Sequence, residues 1–152
     1  LHWRRGEETV RSDEFTVYAV ARDLAPMRAW KGDVHQHSNR SDGREPPPYV
    51  AAASRRTGMD FMALTDHRQY EPSLEAARAF ADLGLDFRIY PGEEIHPPEN
   101  PVHMVNFGGA FSVQALVAQE AVYREGIERV LSGLRLDLPE ADRRLYASCA
   151  WG

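Results

Sequence analysis

The sequence predicts an α/β fold, a largely parallel sheet with helices packed outside it. Three observations carry that expectation. Short apolar segments at residues 34–37, 60–65, 86–90 and 102–107 alternate with helical segments at 48–57 and 72–83. The joints between them are short, and parallel neighbours joined this way need a crossover connection, which a helix supplies. Finally, His, Asp and Glu residues gather at the ends of the strands and in the turns after them, the edge where parallel α/β architectures assemble their sites.

Taken in order, residues 1–14 are polar and charged and read as a solvated entry segment. Residues 15–20 alternate like a strand and are rich in the β-branched and aromatic types that suit a pleated surface. Residues 21–30 read as a connector restricted by Pro26. The strand at 34–37 leads through Pro46-Pro47-Pro48 into the helix at 48–57, which Gly58 closes. The helix at 72–83 admits Pro72 in its first turn and has Gly84 just past its end. Apolar residues from Val113 to Leu134 form a helical stripe that shifts near Gly126, so a kinked helix and two helices are both open. Residues 136–140 read as a loop, and 146–152 as the approach to a further element.

Composition narrows the function classes. A chain of 152 residues that is 43% hydrophobic and 27% charged has the balance of one folded domain. A net charge of -5 without any Lys/Arg block argues against nucleic acid as a general partner, Arg55-Arg56 being a local patch at most. Cys149 is the only cysteine, so no intrachain disulfide framework exists, and a cytoplasmic location is the default expectation. No apolar run reaches the roughly 18 residues of a membrane helix. Phosphate-loop, dinucleotide and nucleophile-turn motifs are all absent, and Cys149 reads as an apolar residue rather than a nucleophile.

The stretch Gly32 to Gly43 holds the strongest chemical signal. His35 and His37 occupy alternate positions, so an extended strand projects both imidazoles from one face, and Asp42 adds a carboxylate on the turn beyond. Asp42-Gly43 also suits a plain turn, but the pairing with two histidines favours ligation. At the end of the next strand His67 is a candidate ligand, with Asp66 or Thr65 behind it. Glu93 and Glu94 point to opposite faces of a continued strand, and parity alone does not choose between them. His96 shares a face with Glu94, but Pro97-Pro98 leaves its geometry open. His103 completes the set from the fourth strand. Arg40, in the turn after the histidines, is a candidate for orienting an anionic substrate, and a solvated loop arginine otherwise; Arg44 reads the same way. A donor set of imidazole and carboxylate without thiolate suits zinc, manganese or iron rather than calcium, and more than one ion. The chemistry that follows is hydrolysis by metal-activated water.

The runs from His35 to Gly43, from Gly58 to His67 and from Pro91 to Ile95, in that order, resemble the PHP (polymerase and histidinol phosphatase) superfamily. Trp30-Lys31-Gly32-Asp33 and the run from Val102 to Gly108 look most like its carbaryl hydrolase-related branch. The resemblance implies a distorted seven-stranded (β/α) TIM-like barrel of which residues 30–152 are the N-terminal portion, residues 1–29 being a β segment and linker. It implies two or three divalent ions held by His35, His37, Asp42, His67, Glu94 and His103, its glycine-any-glutamate pattern selecting Glu94. It also implies a small-molecule substrate carrying an ester, carbamate or amide bond, with phosphoesters as the alternative and a non-catalytic metal-binding module as a third reading. Two ligand motifs of the family, a His-Pro pair and Asp-any-His, are missing, so a fragment is the expectation, with a barrel completed by a second chain or a reduced site as the alternatives.

Overall fold

A computed structural model describes residues 2–12 and 21–151 of the chain. The elements run β1 (His2–Arg5), β2 (Glu8–Ser12), β3 (Gly32–Gln36), α1 (Pro47–Arg56), β4 (Phe61–Leu64), α2 (Glu71–Phe80), β5 (Arg88–Tyr90), β6 (Gly92–Ile95), β7 (Met104–Phe107), α3 (Val113–Val117), α4 (Glu120–Gly133) and α5 (Glu140–Trp151).

The parallel unit is present: β3, β4 and β5 form one sheet in that order, and both pairings are parallel. The α1 and α2 helices supply the crossovers. Alternation along β4 sends Met62 and Leu64 to the helical side, where they form a core with Ala51 of α1 and Ala76 of α2, joined by Val50, Phe80, Phe87 and Ile89. Burying Met62 and Leu64 contributes about 1.5–3 kcal/mol each. The small residues Ala51 and Ala76 let both helices lie close to the strands. Arg55 and Arg56 sit in the last turn of α1, where the helix dipole favours positive charge, and Gly58 takes the left-handed turn beyond it at φ +86°.

Four expectations need correction. Residues 2–12 are not a featureless entry segment but a hairpin, β1 pairing antiparallel with β2 around Gly6 at φ +65°. A two-residue loop with a positive-φ glycine suits such a turn, and polar composition hid the pairing. Next, β6 and β7 are antiparallel to one another rather than parallel members of the main sheet. The connection over residues 96–103 is shorter than the dozen or so residues a crossover requires. The helical stretch from 113 breaks at Ala118-Gln119 and not at Gly126, which lies within α4 where the Trp151 indole packs against it. Residues 140–151 are one helix, entered from Pro139, with Glu140 and Asp142 in its first turn. The strand expected at residues 15–20 lies outside the described residues.

No closed barrel exists among the described residues, which form one three-stranded and two two-stranded sheets. The sheet face away from α1 and α2 opens on a cavity of about 520 Å³ lined by Trp30, Phe61, Arg88, Tyr90 and Phe107, with no histidine among the described residues that line it. No described helix is long and apolar enough to cross a membrane.

Candidate metal centre

Although β7 runs against the expected direction, its starting end meets the finishing end of β6, with Ile95 opposite Met104. His103, just before β7, therefore arrives beside Glu94 and His96. The same edge carries the ends of β3 and β4, and a parallel bridge between His67 and Glu94 ties them together. Three connections of different kinds thus deliver side chains to one place.

Glu94 is the hub. Its side chain is 2% exposed, and five imidazoles converge on its two oxygens. Oε2 faces His35 Nε2 at 2.9 Å, His37 Nε2 at 3.1 Å and His67 Nδ1 at 3.3 Å. Oε1 faces His103 Nδ1 at 2.5 Å and His96 Nε2 at 3.6 Å. Asp42, at the rim and 66% exposed, places Oδ1 3.1 Å from His37 Nδ1 and Oδ2 3.4 Å from His67 Nε2. Three overlapping groups result, each with its ligand atoms within 4.8 Å of one another: His67, Glu94, His96 and His103; His35, His37 and Glu94; and His37, Asp42 and His67. All six residues expected from the resemblance are brought together, with His96 as a seventh.

Charge follows geometry. Burial pushes the Glu94 carboxyl up, but the His35 hydrogen bond and the imidazoles of His67, His35 and His37 outweigh it and leave the group below its ordinary value. For the exposed Asp42, partial desolvation acts upward, and the neighbouring His37 and His67 hold it lower on balance. For His96, burial and the neighbouring His103, Arg68 and His67 act together to depress the imidazole, with Glu94 opposing. The group thus favours the neutral ring, the form that binds metal.

Glu93 and Glu94 separate as strand parity requires. Glu93 is buried on the opposite face and accepts from Ser112 Oγ at 2.6 Å, the Val113 N–H at 2.6 Å, the Gln114 N–H at 3.2 Å and Asn106 Nδ2 at 3.1 Å. It therefore anchors the start of α3 and does not reach the histidines. Gln114 returns the connection, its Oε1 accepting the His96 N–H at 2.8 Å.

Asp66 lies outside the ligand groups. Fully buried, it accepts from the Ser38 N–H at 2.8 Å, Ser38 Oγ at 2.7 Å and Ser41 Oγ at 2.5 Å, and so holds the turn that carries Asp42. Gly43 closes that turn with its N–H on Ser38 O at 2.8 Å, where a Cβ would overlap the His37 carbonyl. Arg40 points away from the cluster and grips both oxygens of Glu75 on α2, at 2.9 and 3.2 Å. The sequence pattern left His96 open, and its signal was the two-residue spacing from Glu94, obscured by the prolines that follow.

No family model matches the chain. Over 57 residues it is 39% identical to the DNA polymerase/3'-5' exonuclease PolX of Bacillus subtilis, a match covering 38% of this chain and 10% of that protein. A Bifidobacterium adolescentis structure described as a metal-dependent phosphoesterase aligns at 23% identity and TM-score 0.46, over 76% of this chain and 43% of that one. A Bacteroides vulgatus two-domain protein containing a PHP-like metal-dependent phosphoesterase aligns at 18% identity and TM-score 0.47, over 80% and 32%. An amidohydrolase from Chromobacterium violaceum, with bound sulfate and no metal, aligns at 26% identity and TM-score 0.46, over 79% and 48%. The chain therefore spans a tenth of the curated relative and between a third and a half of these solved structures.

Proposed function

We propose that the chain carries the metal centre of a metal-dependent hydrolase of the PHP type, with phosphoester cleavage as the reaction. The observation that supports it is the position of Glu94, a buried carboxylate whose two oxygens face separate sets of imidazoles. The donor set fits divalent ions: nitrogen and carboxylate oxygen without thiolate suit zinc, manganese or iron. Two or more ions in such a site, when bound, lower the pKa of a water and stabilise the attacking and leaving oxygens of an in-line displacement.

The chain's own residues set the approach. His35 and His103 are about half exposed and Asp42 more so, whereas Glu94 is closed off, so a substrate meets the cluster from the side of those three. In this structure Arg40 pairs with Glu75 on α2. The local match to an exonuclease supports the phosphoester reading. A second reading, cleavage of an ester, carbamate or amide, is favoured by the runs from Trp30 to Asp33 and from Val102 to Gly108. The three parallel strands are compatible with the first part of the distorted barrel that the resemblance implies.

Parallel assays of the metal-loaded chain on an aryl phosphate, an aryl ester and an aryl carbamate separate the readings. Turnover of the phosphate is expected, and turnover of the uncharged substrates alone overturns the phosphoester assignment. His35→Ala combined with His37→Ala should remove most bound metal by elemental analysis. Unchanged metal content would sink the site itself.

A further inference from the structure

We infer that Asn100 is a positioning residue for the metal centre, holding the loop between His96 and His103 against α5. This role rests on reading the cluster as a metal centre.

Residues 97–102 leave the cluster at His96 and return to it at His103, and the two rings stack with centroids 3.7 Å apart. The ends of the loop therefore meet beside Glu94. Pro97, Pro98 and Pro101 fix φ along the way, so a shift at the tip is carried to the ends rather than absorbed between them. Glu99, at the tip, sits in the left-handed region at φ +59°, a conformation that a glutamate keeps only where its surroundings impose it.

Asn100 supplies the constraint. Its Oδ1 accepts the Val102 N–H at 2.9 Å, and because a backbone N–H can only donate, the orientation of the amide is fixed. Nδ2 is thereby turned to α5, where it meets Leu145 O at 3.3 Å, Cys149 Sγ at 3.4 Å and, closest of the three, Ser148 Oγ. Ser148 is buried and gives its own hydrogen to Leu145 O at 2.8 Å, which leaves an oxygen lone pair for Asn100. Tyr123 of α4 adds one bond from the other side, its hydroxyl donating to Pro98 O at 3.3 Å.

Apolar packing contributes little to this contact. A cleft of about 270 Å³ remains between the loop, α4 and α5, lined by Glu99, Tyr123, Ile127, Arg144 and Leu145. The aromatic contacts of α5 are made by its last residue, Trp151, on Gly126 and Tyr123, and bear on α4 rather than on the loop. The polar bonds of Asn100 therefore tie the loop to α5, a helix whose residues take no part in the three ligand groups. Coupling of this kind is reciprocal: whatever orders the ends of the loop also steadies α5.

Hydrogen exchange read by mass spectrometry, together with Zn²⁺ affinity by competition with a chromophoric chelator, tests this on the whole chain. Saturating Zn²⁺ should slow amide exchange along α5 in the wild type and should no longer do so in Asn100→Ala. The same substitution should weaken Zn²⁺ binding roughly 2–30-fold. Ser148→Ala leaves the loop itself intact and should act in the same direction, less strongly. The double variant should bind no more weakly than Asn100→Ala, since the contact is already gone, whereas independent losses would add in free energy. Where Asn100→Ala fails to fold, Asn100→Asp keeps the acceptor for Val102, cannot donate to Leu145 O, and should weaken binding likewise. Zn²⁺ protection confined to the cluster, additive effects of the two substitutions, or wild-type affinity in a folded Asn100 variant overturns the positioning role and leaves the hydrolase reading in place. No bound Zn²⁺ in the folded wild type removes both. Zn²⁺ binding that protects α5 without turnover of any ester removes the hydrolase reading alone.

Discussion

Glu93 and Glu94 are neighbours in sequence, both buried, and they serve opposite faces of β6: Glu94 gathers five imidazoles, while Glu93 receives the start of α3. Two adjacent carboxylates can be buried this way because each has several donors or partners on its own side. The strand between them keeps the two sets of partners apart.

Glu93→Ala should therefore destabilise the metal-free chain, by about 3 kcal/mol, because four donors lose a charged acceptor and become unsatisfied. Glu94→Ala should instead abolish metal retention. Thermal unfolding of both variants without metal, with metal content measured in parallel, checks the division. If Glu93→Ala unfolds like the wild type, the anchoring role of that carboxylate is wrong.

Asp66 makes a related prediction. Three hydrogen bonds from Ser38 and Ser41 end on it inside the protein. Asp66→Ala should cost about 2 kcal/mol in urea unfolding, the range for lost hydrogen bonds to a charged group, and should loosen the turn that carries Asp42. Asp66→Asn keeps one acceptor oxygen and should lose less. Equal unfolding midpoints for the Ala variant and the wild type would show that the turn holds itself.

How much of this was legible beforehand depended on whether a local pattern or a long-range contact decided the matter. The two-residue period of a strand was enough to put His35 and His37 on one face and to separate Glu93 from Glu94. Crossover lengths were enough to indicate the parallel pairing of β3, β4 and β5. The direction of β7 was not readable from its apolar residues, which suit either orientation; the short connection before it was the usable clue. Gly126 looked like a break because the apolar stripe shifts phase near it. The contact that explains it, with Trp151, spans 25 residues of sequence and leaves no periodic trace. His96 fell between these cases, placed by parity but masked by the prolines behind it.

Acid should weaken the metal-free protein. Glu94 titrates below its ordinary value in the folded chain, so its contribution is present above the usual carboxylate range and is lost as pH falls through the depressed value. His96 is also depressed, chiefly by burial, so the unfolded chain takes up a proton first as pH drops through the ordinary imidazole range. Both effects have the same sign. The melting temperature without metal should fall as pH is lowered from about 7.5 to about 3, first through the ordinary imidazole range and then below the ordinary carboxylate range. Glu94→Gln should flatten the acid end of that profile. A melting temperature that climbs on acidification would contradict both assignments.

Gly126 sets two effects against each other. Replacing a helix-interior glycine by alanine ordinarily stabilises by about 1 kcal/mol. Here an added Cβ would overlap the Trp151 indole, which is packed on the glycine between α4 and α5. Moving a large aromatic ring out of a tight contact costs about 1–3 kcal/mol, so the clash should win and Gly126→Ala should lower stability while freeing α5. Gly133, at the last position of the same helix, has nothing near its missing Cβ, and Gly133→Ala provides the comparison in which propensity acts alone. Denaturant unfolding of the two variants should therefore shift in opposite directions. If both become more stable, α5 does not depend on the contact between Trp151 and Gly126.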